Sequence, residues 1–417
     1  MNGIETIRAL AEEYSNVCAS DRNKDLRKIW TNHNSYKDNR PLILLGMDLY
    51  NVNYPLSDLE IVANGLIDDK LVNTDPFMQN IERALRWKLY HASIKDDTVF
   101  EPYMMVPSVR TPDGENRWGV PCGMGEHVAG GAGAYNPVIF EEDDLDKIII
   151  QDHKIDIEAT KALTDRYNDV LGGKLTAISD DRPTLFHWSG DIITDMAKLV
   201  GLENLFYLLV DEPDMLHKLA GMMRDAILKS HNAWEANGEA NSTSSFNQAM
   251  PYAEGIASME SKISCGRKDM FMFYAAQEMT SVSPDMWKEF CLDYQKPLME
   301  KFGLIAYGCC EDLTRKLDYL FEIPNMRRIS VSPFANVEKC AEKIGDKYII
   351  SYRPNPSSMV SRGINEDTIR KEIGEAKTHF NRNNCIFDLD LKDVQTVNGD
   401  STVLPRFIEI ARSVLEK

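Results

Sequence analysis

The feature that most restricts how this chain folds is an alternation in its C-terminal half, where short apolar runs ending in polar residues are separated by stretches of helical periodicity. Residues 271–274, 304–307, 328–331, 348–352 and 385–391 read as strands. Between them Trp287, Phe290, Cys291, Tyr294 and Leu298 recur on one helix face, and residues 313–321, 337–344, 366–380 and 405–415 read as further helices. Strands joined by short helical crossovers favour a parallel sheet, and a closed barrel of such units is the predicted architecture. In that architecture chemistry is presented where strands end. The run Leu304-Ile-Ala-Tyr-Gly-Cys-Cys-Glu311, an apolar strand that stops at two thiols and a carboxylate, is the sharpest such junction.

Other signals fill in the remainder. Residues 40–45 read as a strand inside a mostly helical first 90 residues, and 99–106, 175–178 and 184–188 read as extended. Asp211-Glu-Pro213 and Ser283-Pro284 carry the cap-then-proline pattern of a helix start. The glycine-rich residues 117–136 fit a surface hairpin or lid; a phosphate cradle would need a strand before and a helix after in the right register. Residues 241–266 are polar and small and read as a loop over one end of the fold.

Composition excludes several classes. The 65 acidic and 47 basic residues give a net charge of −18, which argues against phosphate-backbone binding, so nucleic acid is not an expected partner. No run approaches the roughly 20 apolar residues needed to span a bilayer. Residues 1–13 lack the pattern of a secretory signal. The eight scattered cysteines fit a reducing compartment, so a cytoplasmic protein is expected.

Taken together, Gly190 to Gly201 followed by Asp211-Glu-Pro213, Ser283-Pro-Asp-Met-Trp287 leading through Lys296-Pro297 to Phe302-Gly303, the strand ending at Cys309, and Asn398-Gly-Asp400 make the chain resemble the uroporphyrinogen decarboxylase-like superfamily. The resemblance runs from about Pro102 onward. It implies an α/β fold, a (β/α)8 TIM barrel over residues 96–417 with a helical extension over 1–95 and loop insertions. The arginine-rich signature of the decarboxylase branch is absent after Arg40-Pro41, which points to the corrinoid-dependent methyltransferase branch. Zinc-dependent thiol methyltransferases of that branch use a His-x-Cys pair and a later cysteine. Here Tyr307-Gly308-Cys309 stands at the first pair, and Asp388 and Asp390 stand near the later position.

The resemblance therefore implies zinc held by a mixed set drawn from Cys309, Cys310, Glu311, Asp388 and Asp390, a more Lewis-acidic ion than one with three soft ligands. Such a site suits departure of an ether oxygen. The function it implies is transfer of a methyl group from a methylated, methoxy-aromatic small molecule to the cobalt(I) corrinoid of a separate protein, since the chain has no Asp-x-His-x-x-Gly corrinoid fingerprint of its own. Transfer from methylcobamide to a thiol or tetrahydrofolate, a decarboxylase-like lyase and a non-catalytic binding barrel are the alternatives, and a homodimer is compatible with all of them.

Further candidates follow from position. Tyr307, His187 and Glu278 are candidate proton donors or acceptors, and Arg353, Trp188 and Tyr274 candidate substrate contacts. His127 is a further candidate in the glycine-rich segment. Each has a plain structural alternative: Asp388 and Asp390, two apart on one strand face, would otherwise pair with Arg353 or Lys392. Because adjacent strand residues face opposite ways, only one of the two thiols is expected at the site.

Overall fold

The computed structural model describes residues 3–37, 40–46, 67, 70–123, 125, 133–394, 397 and 399–416. His127 and Asn398 lie outside them. Among the described residues ten strands form: β1 Ile43–Gly46, β2 Tyr103–Pro107, β3 Arg110–Thr111, β4 Lys154–Ile155, β5 Thr176–Asp180, β6 Phe271–Tyr274, β7 Leu304–Tyr307, β8 Met326–Val331, β9 Ile349–Tyr352 and β10 Phe387–Lys392. Six make one curled parallel sheet in the order β1-β10-β9-β8-β7-β6, β2 pairs in parallel with β5, and β3 and β4 form a short antiparallel ladder. Among the described residues no ladder joins the two parallel sheets. The observed architecture is thus an α/β half-barrel with a separate parallel pair, where a closed eight-stranded barrel was predicted.

Period-2 patterning explains how the large sheet sits. Ile43, Leu45, Met272, Tyr274, Ile305, Tyr307, Ile329, Val331, Ile350, Tyr352, Phe387, Leu389 and Leu391 all point into the main apolar core shared with the helices. Their neighbours along the strands are of another kind: Arg328, Ser330, Ser351, Arg353, Asp388, Asp390 and Lys392, all buried, with Phe273 and Ala306 beside them. One face of the sheet is therefore a hydrocarbon layer and the other a lined polar interior, which is the division a site needs.

Helices α1 (Gly3–Ala19) and α2 (Asp21–Asn34) open the chain, with the Ser20 side chain capping α2 by accepting from Asn23 N. Strand β1 lies within the first 95 residues and is hydrogen-bonded to β10. After β6, Ser283 caps a helix by accepting from Met286 N, as its sequence predicts. That helix runs through Pro284–Trp287, a π-turn Lys288–Leu292 and Asp293–Met299.

Three further sequence expectations, at the level of single elements, differ from the fold. Residues 184–188 are not a strand: proline at 183 offers no ladder donor, His187 takes a φ of 44°, and His187–Gly190 forms a single helical turn. Asp211 does not cap the following helix; it ends the helix Leu202–Asp211, and the next begins at Pro213 with Glu212 before it. Of residues 313–321 only Leu317–Leu320 is helical, because the Asp312 carboxylate takes the backbone N–H and hydroxyl of Thr314 and holds the chain in a local turn. No helix among the described residues is long and apolar enough to cross a membrane.

Candidate functional site

The site is built from the end of β7. There Gly308 adopts a φ of 101°, a conformation L side chains rarely take, and an added Cβ would meet Leu313 Cδ1 at 2.6 Å. That turn ends the strand alternation, so both Cys309 and Cys310 reach one cavity, contrary to the expectation that only one would. The backbone around them is fixed on four sides. Cys309 N donates to Glu311 Oε2 at 2.6 Å, Ala276 N to Glu311 Oε1 at 3.0 Å, Ser330 Oγ to Gly308 O at 2.6 Å, and Arg353 Nη1 to Cys309 O at 2.9 Å.

The cysteine side chains are asymmetric. Lys392 Nζ lies 2.8 Å from Cys309 Sγ, Gln248 Nε2 is 3.7 Å from the same sulfur, and Cys310 Sγ is 3.6 Å from both Cys309 Sγ and Asp393 Oδ2. The Cys310 hydrogen bond, then the charges of Lys392 and Arg353, outweigh burial and lower the Cys309 thiol to about 6. The same bond, followed by burial, raises Cys310. The pair thus holds one thiolate and one thiol, the arrangement of a reactive rather than an inert cysteine. The cavity they share measures about 170 Å³ and is also lined by Arg353, Lys392, Asp393, Phe334 and Pro354.

An aromatic wall adjoins the thiols. Trp188 meets Phe273 edge-on with centroids 5.1 Å apart, Phe273 meets Phe246 at 5.8 Å, and Phe246 meets the His187 ring at 4.1 Å. Phe246, Phe273, Ala275 and Cys309 form one buried cluster with Trp188 and Cys310 packed against it. On β10 beside Lys392 sits Asp390, fully enclosed, with neither carboxylate oxygen hydrogen-bonded and its pKa pushed up by burial to about 7 despite Arg353 and Lys392. One further step along the same face, Asp388 takes Arg328 Nη2 at 2.7 and 2.8 Å and has His33 Nε2 at 2.9 Å. Burial opposes its ionisation, and the charge of Arg328 with the His33 contact overcomes it, leaving the Asp388 pKa below the ordinary range.

The structure brings together some of the sequence candidates and separates others. Cys309, Cys310, Arg353 and Trp188 converge, and His187 joins them through Phe246; burial, then the charge of Arg182, pushes the His187 imidazole well below its ordinary range, so it is neutral. Tyr307 points the other way, into the helix layer, where its hydroxyl donates to Gln295 Oε1 at 2.7 Å and its ring packs on Trp287. Tyr274 likewise faces the helix side, its ring toward Phe302. Both follow from alternation: Tyr274 is next to inward Phe273, and Tyr307 next to inward Ala306. Glu278 is buried just beyond β6 with both oxygens unpartnered, and burial raises its pKa.

The expected zinc ligands do not converge. Glu311 is spent on two backbone N–H groups, Asp388 on Arg328 and His33, and the Lys392 ammonium stands against the Cys309 sulfur. Among the described residues no three His, Cys, Asp or Glu side chains are grouped to hold a metal, so the donor set does not fit a tetrahedral zinc site with three protein ligands. Lys392, which reads from sequence only as an ion-pair partner, proves central. Its period-2 spacing from Asp388 and Asp390 is the signal that places it on their face. Phe246 and Gln248 lie in the irregular 241–266 loop, where no pattern marks them.

No protein-family model and no curated protein matches the sequence. Solved structures do match. A methyltransferase from Methanosarcina mazei aligns with a TM-score of 0.50 over 93% of this chain and 98% of that chain, at 11% identity. At that identity the likeness is one of fold.

Proposed function

We propose that this chain is a methyltransferase that takes a methyl group from a methylated, methoxy-aromatic small molecule and passes it to the cobalt(I) corrinoid of a separate protein. The observation that carries the reading is the meeting, at one strand end, of an aromatic wall with the cationic pocket of Lys392 and Arg353 around a thiolate–thiol pair. The fold likeness to a solved methyltransferase supports it.

Phe334, which lines the thiol cavity, and Trp188, half-buried beside Phe273, suit the face and edge of an arene. An aryl ether resists demethylation because the departing oxygen gathers negative charge, and placed positive charge or a proton lowers that barrier. Lys392 and Arg353 supply the charge, and the Lys392 ammonium is the proton-bearing group nearest the thiols in the same cavity. The corrinoid, presented by its own protein, supplies the nucleophilic centre that accepts the methyl group. No step is assigned to zinc, because Glu311 and Asp388 are engaged elsewhere and no three donors are grouped among the described residues. A non-catalytic binding barrel would fill this end with apolar side chains, and the thiol–cation group argues against it.

The test is an anaerobic assay of the intact chain with a cobalt(I) corrinoid protein and a panel of methoxyarenes, following loss of the cobalt(I) absorbance. Wild type is expected to methylate cobalt, and Lys392→Met to lower kcat by about a hundredfold with little change in KM. Inactivity of wild type across the panel, or a variant as fast as wild type, refutes the proposal.

A further inference from the structure

Cys309 and Cys310 are consecutive, their sulfurs stand 3.6 Å apart, and both line one cavity. Two chemistries join such neighbours: oxidation to a disulfide, or chelation of a thiophilic atom. Consecutive Cα atoms lie about 3.8 Å apart, short of the roughly 4.4 Å at which ordinary disulfides begin, so direct closure is strained. Chelation inserts an atom between the sulfurs and leaves them near their present separation. A divalent zinc ion would want three or four protein donors, and the described residues group no third one here. A trivalent centre that already carries an organic substituent needs only two.

We propose that Cys309 and Cys310 form a bidentate site for a monosubstituted trivalent arsenical of the type R–As(OH)2. Two As–O bonds break and two As–S bonds form while arsenic stays trivalent. The Cys310 proton and a second proton, from the Lys392 ammonium or solvent, leave with the two hydroxyl groups as two waters. Lys392 keeps the first attacking sulfur as thiolate, and Pro333, Phe334, Pro354 and Pro356 give the substituent an apolar rim. The proposal stands independently of methyl transfer.

Phenylarsine oxide, which hydrates to such a species, is the probe, added to the intact chain under nitrogen. One adduct per chain is expected, mapped by mass spectrometry to the peptide holding Cys309 and Cys310. It should block iodoacetamide labelling of both, survive excess 2-mercaptoethanol and release to ethane-1,2-dithiol. In Cys310→Ala the single sulfur loses the two-point attachment, and retention against the monothiol falls roughly a hundredfold; Cys265→Ala keeps the wild-type behaviour. A wild-type adduct that maps elsewhere, or that 2-mercaptoethanol strips readily, overturns the site; because wild type carries this measurement, a misfolded variant does not affect it.

Discussion

Lys392 and Asp390 sit two residues apart on one face of β10 and pull the local chemistry in opposite directions. For Cys309, labelling by iodoacetamide should hold near its plateau as pH falls, then drop with a midpoint at about 6. Lys392→Met leaves the Cys310 hydrogen bond but removes the nearest charge, and the midpoint should rise by about one unit or more; an unmoved midpoint in peptide-resolved labelling would show that the ammonium does not hold the thiolate. Asp390 has a folded pKa of about 7, above the roughly 3.9 of an unfolded aspartate. Its protonated form contributes stability that is full below about 4 and lost as pH rises through about 7. Asp390→Asn should therefore be more stable than wild type above neutrality, by on the order of a few kcal/mol, with the difference vanishing at acid pH; urea unfolding across that range checks it. At this scale the sequence shows that Asp388, Asp390 and Lys392 share a face. Their partners are illegible in it, because Arg328 and His33 are 60 and 355 residues from Asp388.

The broken helix after β6 is held to the sheet through Gln295, whose amide donates to Asp191 O at 2.6 Å and Ala275 O at 2.8 Å while its oxygen accepts from Tyr307. Gln295→Leu leaves three buried partners unsatisfied and should cost about 2–4 kcal/mol in chemical unfolding. Tyr307→Phe, which removes one of those bonds, should cost roughly 1 kcal/mol and leave the proposed methyl transfer essentially unchanged; a large fall in kcat would return Tyr307 to the chemistry. Apolar spacing is enough to find this helix and Ser283 its start. The π-turn escapes, since Lys288–Leu292 looks like ordinary helix in composition. Residues 184–188 mislead for a related reason: a short apolar run says nothing of whether a neighbouring strand lies within hydrogen-bonding reach.

For the molecule as a whole, strand–helix alternation makes the parallel sheet legible, while closure depends on ladders that no local pattern encodes. The six-stranded sheet and the β2–β5 pair should differ in cooperativity. Amide exchange is expected to be slowest in β7, β8, β9 and β10, which have ladder partners on both sides, and faster in β2 and β5, which have one each; equal protection would mean that one continuous unit opens at once. The contacts of α2 add a consequence of another sort. His33 is 2.9 Å from Asp388, and Asn34 accepts from Arg328 at 2.8 Å, both at the starting ends of β10 and β8, opposite the end that carries Cys309. α2 covers that end of β8 and β10, so among the described residues the cavity beside Cys309, at the opposite strand ends, is the lip of the polar interior. In the proposed reaction a small molecule must be aboard before a protein settles on that lip, and its demethylated remnant leaves only after the protein lifts. Turnover would then be strictly ordered, and an excess of the protein partner would slow it rather than speed it.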